Sequence, residues 1–163
     1  MPGLRERVGA VLRDVPVERL VDGLSGARPY RVAPPTPSPA LRALHAVGLA
    51  LAGNRVVVHL GVGSAADGAF HEALNLAALR SANVVFLLAV MPLDEAAPVA
   101  TQLAADPAAL GAAFGIPTTT VSGSSVGAVR SAVATALEAG GPHLIVATLD
   151  PGADLLALAK SES

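Results

Sequence analysis

Apolar residues recur along this chain with two different spacings, and the alternation of these spacings predicts a repeated order of helices and strands. The run over 84–90 is apolar at every position, which is typical of a strand buried on both faces of a parallel sheet. Strands are predicted at 55–60, 84–90, 118–121 and 143–149, and helices at 38–53, 67–80 and 125–139. This order predicts an α/β fold, namely a three-layer domain with a mainly parallel sheet.

The spacing of apolar residues also predicts which faces of two helices pack inward. In the helix over 67–80, the inward residues are predicted to be Phe70, Ala73, Leu74 and Ala77. In the helix over 38–53, one face is formed by Leu41, Leu44, Gly48 and Leu51. A bare glycine on that second face is expected to let the helix approach a neighbouring element closely.

Changes in composition divide the chain into three parts. Residues 1–37 are predicted to be an N-terminal helical arm followed by a proline-rich loop, because closely spaced prolines from residue 25 onward exclude regular helix. Residues 38–150 form the predicted α/β domain, and residues 151–163 a C-terminal tail.

Composition and charge exclude several classes of function. Hydrophobic residues make up 52% of the chain but aromatic residues only 2%, so the core must be built from Ala, Val and Leu. The net charge is −2 and the basic residues are scattered, which argues against nucleic-acid binding. The chain has no cysteine, so thiolate chemistry is excluded. No apolar run is long enough to span a bilayer, and a cytoplasmic protein without membrane contact is therefore expected.

The stretch "GVGSAA" at 61–66, here called the glycine turn, lies between a predicted strand and a predicted helix. Backbone amides of Gly61, Gly63 and Ser64 at the start of a helix are suited to face an anion. A dinucleotide fingerprint would also need an acidic residue at the end of the next strand. The nearest candidates, Asp94 and Glu95, lie several residues beyond that strand, which weakens this interpretation.

Three longer stretches carry a family resemblance: "ALHAVGLALAGNRVVVHLGVG", "DGAFHEALNLAAL" and "FGIPTTTVSGSSVGAVRSAVATALEAGGPHLIVATL". From residue 39 to 149 the chain resembles the thiamine-diphosphate-binding alpha subunit of the 2-oxo acid dehydrogenase complexes, the component that decarboxylates pyruvate or branched-chain 2-oxo acids. The resemblance implies the thiamine-diphosphate-binding fold of the diphosphate side. It also implies thiamine diphosphate with Mg²⁺ as the cofactor and a beta-type thiamine-enzyme subunit as a candidate partner.

Two departures from the family pattern bear on the chemistry. The positions that ligate the metal in the family correspond to Val62 and Met91, and neither side chain has the oxygen that Mg²⁺ prefers. We therefore expect no metal site, no catalytic residue and no cofactor, with Gly61, Gly63 and Ser64 as a vestigial diphosphate cradle. The corresponding function is a non-catalytic, degenerate relative of the alpha subunit that acts through protein–protein contacts.

Two alternatives stay open. One is a genuine thiamine-diphosphate-dependent 2-oxo acid dehydrogenase or decarboxylase subunit that a partner chain completes. The other is a nucleotide- or anion-binding α/β module. A homo-oligomer is expected, because the chain has few charges and many small apolar residues suited to packing between helix faces. His71 and Glu72 do not form a zinc motif, because Asn75 stands where the second histidine would be needed.

Overall fold

A computed structural model describes residues 38–91 and 102–149, together with the single positions 16 and 18. The predicted C-terminal tail, and the N-terminal arm apart from those two positions, lie outside the described residues. The strands are β1 (Val56–Gly61), β2 (Val84–Val90), β3 (Thr118–Ser122) and β4 (His143–Thr148). The helices are α1 (Leu41–Leu51), α2 (Gly68–Leu79), α3 (Ala109–Ala113) and α4 (Val126–Ala139), and a 3₁₀ helix (Val62–Ala66) joins β1 to α2.

The four described strands form one sheet in the order β1-β2-β4-β3, and every neighbouring pair is parallel. β2 and β4 lie in the middle and are the strands whose residues are most completely buried. The continuous apolar run over 84–90 therefore occupies the position that its pattern predicts, because a central parallel strand is covered on both faces. The prediction of an α/β fold with a parallel sheet is confirmed.

The sheet order explains on which face each helix lies. The connections from β1 to β2 and from β2 to β3 run in one direction across the sheet, whereas the connection from β3 to β4 runs back. Right-handed crossovers then place α2 and α3 on one face and α4 on the other. The packing agrees, since Leu74 of α2 and Leu110 of α3 lie in one core cluster with Leu88. Ala136 of α4 packs with Val85 in a second cluster on the opposite face.

α2 packs as its sequence predicts. The four residues expected to face inward are all fully buried: Phe70, Ala73, Leu74 and Ala77. Phe70 meets Phe86 of β2 edge-on, with ring centroids 5.8 Å apart and ring planes at 88°. This geometry is the favourable T-shaped arrangement of two rings, and it anchors α2 to the sheet.

α1 packs through a different face from the one that the leucine spacing indicates. Its buried residues are Ala43, Ala46, Val47 and Ala50, whereas Gly48 is exposed and Leu51 is 46% exposed. The predicted close approach at Gly48 is wrong, because no described atom lies within 4 Å of a Cβ placed there. The small-residue face packs inward because it lets the helix backbone come close to α2 and the sheet.

No helix in the described ranges 38–91 and 102–149 combines the length and apolarity needed to cross a bilayer.

Candidate active site

The candidate site lies at the edge of the sheet where all four parallel strands end. In the sheet register Gly61 is opposite Ala89, while Val90 and Ser122 are both opposite Thr148. This edge is where open α/β sheets bind ligands, because the loops and helix N-termini that follow the strands gather there. The glycine turn follows β1 at this edge.

The glycine turn brings the three predicted cradle residues together. Gly61 is exposed and extended, with φ −81° and ψ 157°, and the chain then enters the 3₁₀ helix directly. Gly63 is exposed, whereas Ser64 is only 8% exposed. The first amides of a helix have no intrahelical acceptor, and such groups can donate to an anion.

The two positions expected to lack metal ligands have different surroundings. Val62 is half-buried and packs against the main core cluster. Met91, just beyond the end of β2, is 45% exposed. Neither supplies an oxygen ligand, and the described part of the chain contains no group of three or more His, Cys, Asp or Glu side chains suited to a metal ion.

One residue at the turn was not predicted from the sequence. A Cβ placed on Gly63 would lie 3.3 Å from Oε1 of Gln102, so this side chain reaches the glycine turn. Gln102 lies in an alanine-rich stretch with no motif, and only the folded chain brings it beside a turn so far away in sequence.

A short hydrogen-bond network fixes the start of α2. The Asp67 carboxylate accepts a hydrogen bond from the Ala69 amide at 2.9 Å, so Asp67 is the N-cap of α2. It also accepts one from the Ser38 hydroxyl at 2.7 Å, and the Ser38 oxygen accepts from the Ala40 amide at 3.2 Å. The entrance to α1 is thereby tied to the end of the glycine turn.

These contacts change the acidity of Asp67. The hydrogen bond from the Ala69 amide, and then the one from Ser38, hold the pKa of the carboxyl below its ordinary value of 3.8, while desolvation acts in the opposite direction. A lowered pKa means that the ionised carboxylate stabilises the folded state. This contribution is fully present above the ordinary pKa and is lost as the pH falls through the lowered pKa of the folded protein.

Asp67→Asn is therefore expected to lower the melting temperature by a few degrees near neutral pH and to have a decreasing effect as the pH falls below about 4. Thermal unfolding of wild type and variant across this pH range measures the difference. Asp106→Asn is the matched control, since the Asp106 carboxylate also accepts from an amide two residues on, that of Ala108 at 2.9 Å, in the turn before α3. A difference between wild type and Asp67→Asn that is constant with pH would contradict the assignment.

Two further polar residues, one in α2 and one at the start of α4, make hydrogen bonds to the backbone. His71 donates from Nε2 to the Ala65 carbonyl oxygen at 2.8 Å, which links α2 to the 3₁₀ helix. Ser125 accepts from the Ala128 amide at 3.2 Å and caps α4. Both contacts are structural, and the expectation that the chain has no catalytic residue stays a prediction.

A comparison of the chain with known protein families shows to which family it belongs. The family model described as dehydrogenase E1 component matches residues 40–145, which is more than half of the chain. The chain belongs to this E1 family. The matched range contains the glycine turn, α2 and the strands β1, β2 and β3, and it ends within β4. No curated protein sequence matches the chain.

Solved structures give the same fold. The chain is 30% identical to a candidate thiamin diphosphate-dependent enzyme from Mycobacterium smegmatis, with a TM-score of 0.51, and the match covers 67% of this chain and 22% of that chain. Transketolase from Leishmania mexicana also matches, with 18% identity and a TM-score of 0.51, over 68% of this chain and 18% of that chain. The fold is the thiamine-diphosphate-binding fold, and this E1-family chain spans only about a fifth of these neighbours.

The family assignment corrects one expectation from the sequence. The prediction that no cofactor is expected is wrong, because the E1 family and the thiamin diphosphate-dependent neighbour both point to thiamine diphosphate. The prediction rested on Val62 and Met91, which concern the metal ion. The diphosphate is a separate ligand, and backbone amides rather than these side chains bind such an anion.

The residues of the site fit the diphosphate of that cofactor better than they fit its Mg²⁺ ion. The glycine turn is compatible with a diphosphate, because Gly61 and Gly63 are exposed and no side chain over 61–66 is charged. A divalent cation does not fit Val62 and Met91. The roles of Gly61, Gly63 and Ser64 as a cradle stay predictions.

Proposed function

We propose that this chain is the diphosphate-binding domain of a thiamine-diphosphate-dependent E1-type enzyme and that it has no catalytic activity on its own. The observation that carries the proposal is the position of the glycine turn. It lies inside the E1-matched range, at the carboxyl edge of β1, and it leads into the capped N-terminus of α2. The proposed donors are backbone amides at the start of the 3₁₀ helix, because the Asp67 carboxylate already caps the N-terminus of α2.

A partner chain completes the proposed enzyme. Val62 and Met91 cannot act as oxygen ligands for Mg²⁺. In this proposal the cation ligands and the substrate side come from a second copy or from a beta-type subunit. The cofactor supplies the carbanion chemistry when bound, while this chain holds its diphosphate and orients it.

Titration calorimetry of the full chain with thiamine diphosphate, thiamine monophosphate and thiamine tests the proposal. We expect saturable binding of the diphosphate, weaker binding of the monophosphate and none of thiamine, with little dependence on Mg²⁺. Equal binding of a purine nucleotide without magnesium would instead favour an anion-binding module. The absence of any binding of thiamine diphosphate would overturn the proposal.

Gly63→Asp is expected to weaken diphosphate binding at least about tenfold, because a carboxylate would face the anion and tenfold corresponds to about 1.4 kcal/mol. Gly63 is exposed and has no positive φ, and its one close neighbour is the flexible Gln102 side chain, so the variant is expected to fold. Gly127→Asp, in the exposed first turn of α4, is the matched control and is expected to bind as wild type does. Unchanged binding by Gly63→Asp would mean that the diphosphate lies elsewhere.

A further inference from the structure

We propose that two copies of this chain associate through α2, as an antiparallel pair of helices related by a two-fold axis at Leu76. This inference goes beyond the proposed function and does not depend on it, because it concerns the outer face of α2 and not the glycine turn. In a two-fold interface the same surface of each copy contacts its own counterpart. Such a surface must therefore be complementary to itself.

The outer face of α2 is apolar along most of its length, whereas a helix that faces water is ordinarily polar on that side. The outer stripe has the spacing i, i+3, i+7 and i+10 that places side chains along the seam between two packed helices, and it consists of Ala69, Glu72, Leu76 and Leu79. Leu79 is 73% exposed, more than any other large apolar side chain in the described ranges. α1 packs beside α2 and adds two more exposed leucines, Leu49 and Leu51. An apolar surface of this kind suits contact with another protein surface.

The charges on this face select a second copy as the occupant. Glu72 and Arg80 lie four residues before and four residues after Leu76, and both are exposed. Arg80 still follows the helix, since its amide donates to the Leu76 carbonyl oxygen at 3.1 Å. Eight residues span about 12 Å along a helix, so these two charges are too far apart to pair within one chain.

An antiparallel arrangement about Leu76 joins these charges between copies. Each Glu72 then lies opposite the Arg80 of the other copy, and the two resulting ion pairs flank an apolar centre. A parallel arrangement would instead place like charges opposite each other, which is unfavourable. The sequence of charge, leucine and opposite charge therefore favours a two-fold antiparallel pair.

α4 carries the same charge spacing without the apolar centre. Arg130 and Glu138 are both exposed and lie eight residues apart, but the residue midway between them is Ala134. Since an alanine side chain offers little apolar area, α4 is not expected to form such a pair. It supplies matched control variants.

Sedimentation equilibrium of the full chain over a broad range of concentrations measures the dissociation constant of the proposed dimer. Glu72→Arg is expected to raise this constant at least about tenfold, because two arginines would face each other on both sides of the axis. Combining it with Arg80→Glu restores opposite charges and is expected to return the constant to within about twofold of wild type. The controls Arg130→Glu and Glu138→Arg are expected to leave it unchanged. All four side chains are exposed, so the variants should fold as wild type does, which circular dichroism checks.

A single introduced cysteine tests the position of the axis, because the chain has no cysteine of its own. Leu76→Cys is expected to form a disulfide-linked dimer on oxidation by dissolved oxygen, since the axis brings the two thiols together. Ala134→Cys, on the exposed side of α4, is the control and is expected to stay unlinked.

Three results would overturn the proposal. The first is a monomeric wild type at all concentrations, in which case another segment of the chain or another protein covers the outer face of α2. The second is a dimer whose dissociation constant Glu72→Arg leaves unchanged, or changes without recovery in the double variant. The third is a dimer that Leu76→Cys does not link. None of these results bears on diphosphate binding, so the proposed function is tested separately.

Discussion

The double variant Val62→Asp with Met91→Asn is expected to bind thiamine diphosphate at least about tenfold more tightly in the presence of Mg²⁺ than in its absence. The reason is that a carboxylate and an amide would supply oxygen ligands at the two positions where the resemblance places the metal. Wild type, with an isopropyl group and a thioether there, is expected to show little dependence on Mg²⁺. Calorimetric titrations with Mg²⁺ and with EDTA measure this difference.

Without ligand, the two substitutions are expected to lower the free energy of unfolding by different amounts. Val62→Asp places a carboxylate where a half-buried side chain packs against the core, and it is expected to cost about 1–3 kcal/mol. Met91→Asn should cost much less, since Met91 is 45% exposed. Ligand and Mg²⁺ at about 100 times their dissociation constant should return about 2.7 kcal/mol to the double variant. Urea unfolding of wild type, both single variants and the double variant gives these values.

Either single variant serves as a control, because one added oxygen ligand should give a smaller dependence on Mg²⁺ than two. Catalysis is not expected from any of them, since the proposed partner chain is needed. If the double variant binds equally in Mg²⁺ and in EDTA, the two positions do not meet at the cofactor, and the correspondence of Val62 and Met91 with the metal ligands is wrong.

Gly111→Ala is expected to destabilise the protein by about 1–3 kcal/mol or more, the usual range for overpacking a filled site. Gly111 is buried in α3, and an added Cβ would collide with Oγ1 of Thr118 and lie 2.9 Å from the Ile116 carbonyl oxygen. That carbonyl belongs to the backbone of a tight turn in which the Ile116 amide donates to the Gly111 carbonyl at 2.9 Å. The turn leads into β3 and cannot move away without disturbing the strand.

Gly48→Ala is the matched control for this prediction. Gly48 also lies within a helix, but it is exposed and nothing lies within 4 Å of an added Cβ. Alanine there is expected to stabilise the protein by about 0.5–1 kcal/mol, because glycine loses more backbone entropy in a helix. Urea unfolding midpoints of the two variants should therefore move in opposite directions. Equal midpoints for Gly111→Ala and wild type would contradict the packing described around α3.

The order of helices and strands could be predicted because it depends on local spacing. The run over 84–90 identified β2 with its full length, and the spacing of Phe70, Ala73, Leu74 and Ala77 identified the buried face of α2. The same method was wrong for α1, where the leucine face lies partly exposed and an alanine and valine face is buried. Spacing shows that a helix has two faces, but how closely the neighbouring elements approach decides which face packs inward.

The sequence by itself determined the α/β class, the glycine turn with its predicted cradle residues, and the E1-like motif succession, because each is a pattern of neighbouring residues. The sequence also led to the wrong expectation that the protein binds no cofactor. That expectation assumed that a chain without oxygen ligands for the cation would not bind the diphosphate either. Only the tertiary structure decided the strand order β1-β2-β4-β3, the hydrogen bond between Ser38 and Asp67, and the position of Gln102 beside Gly63. These features join residues far apart in the chain, and such contacts depend on how the elements pack as a whole.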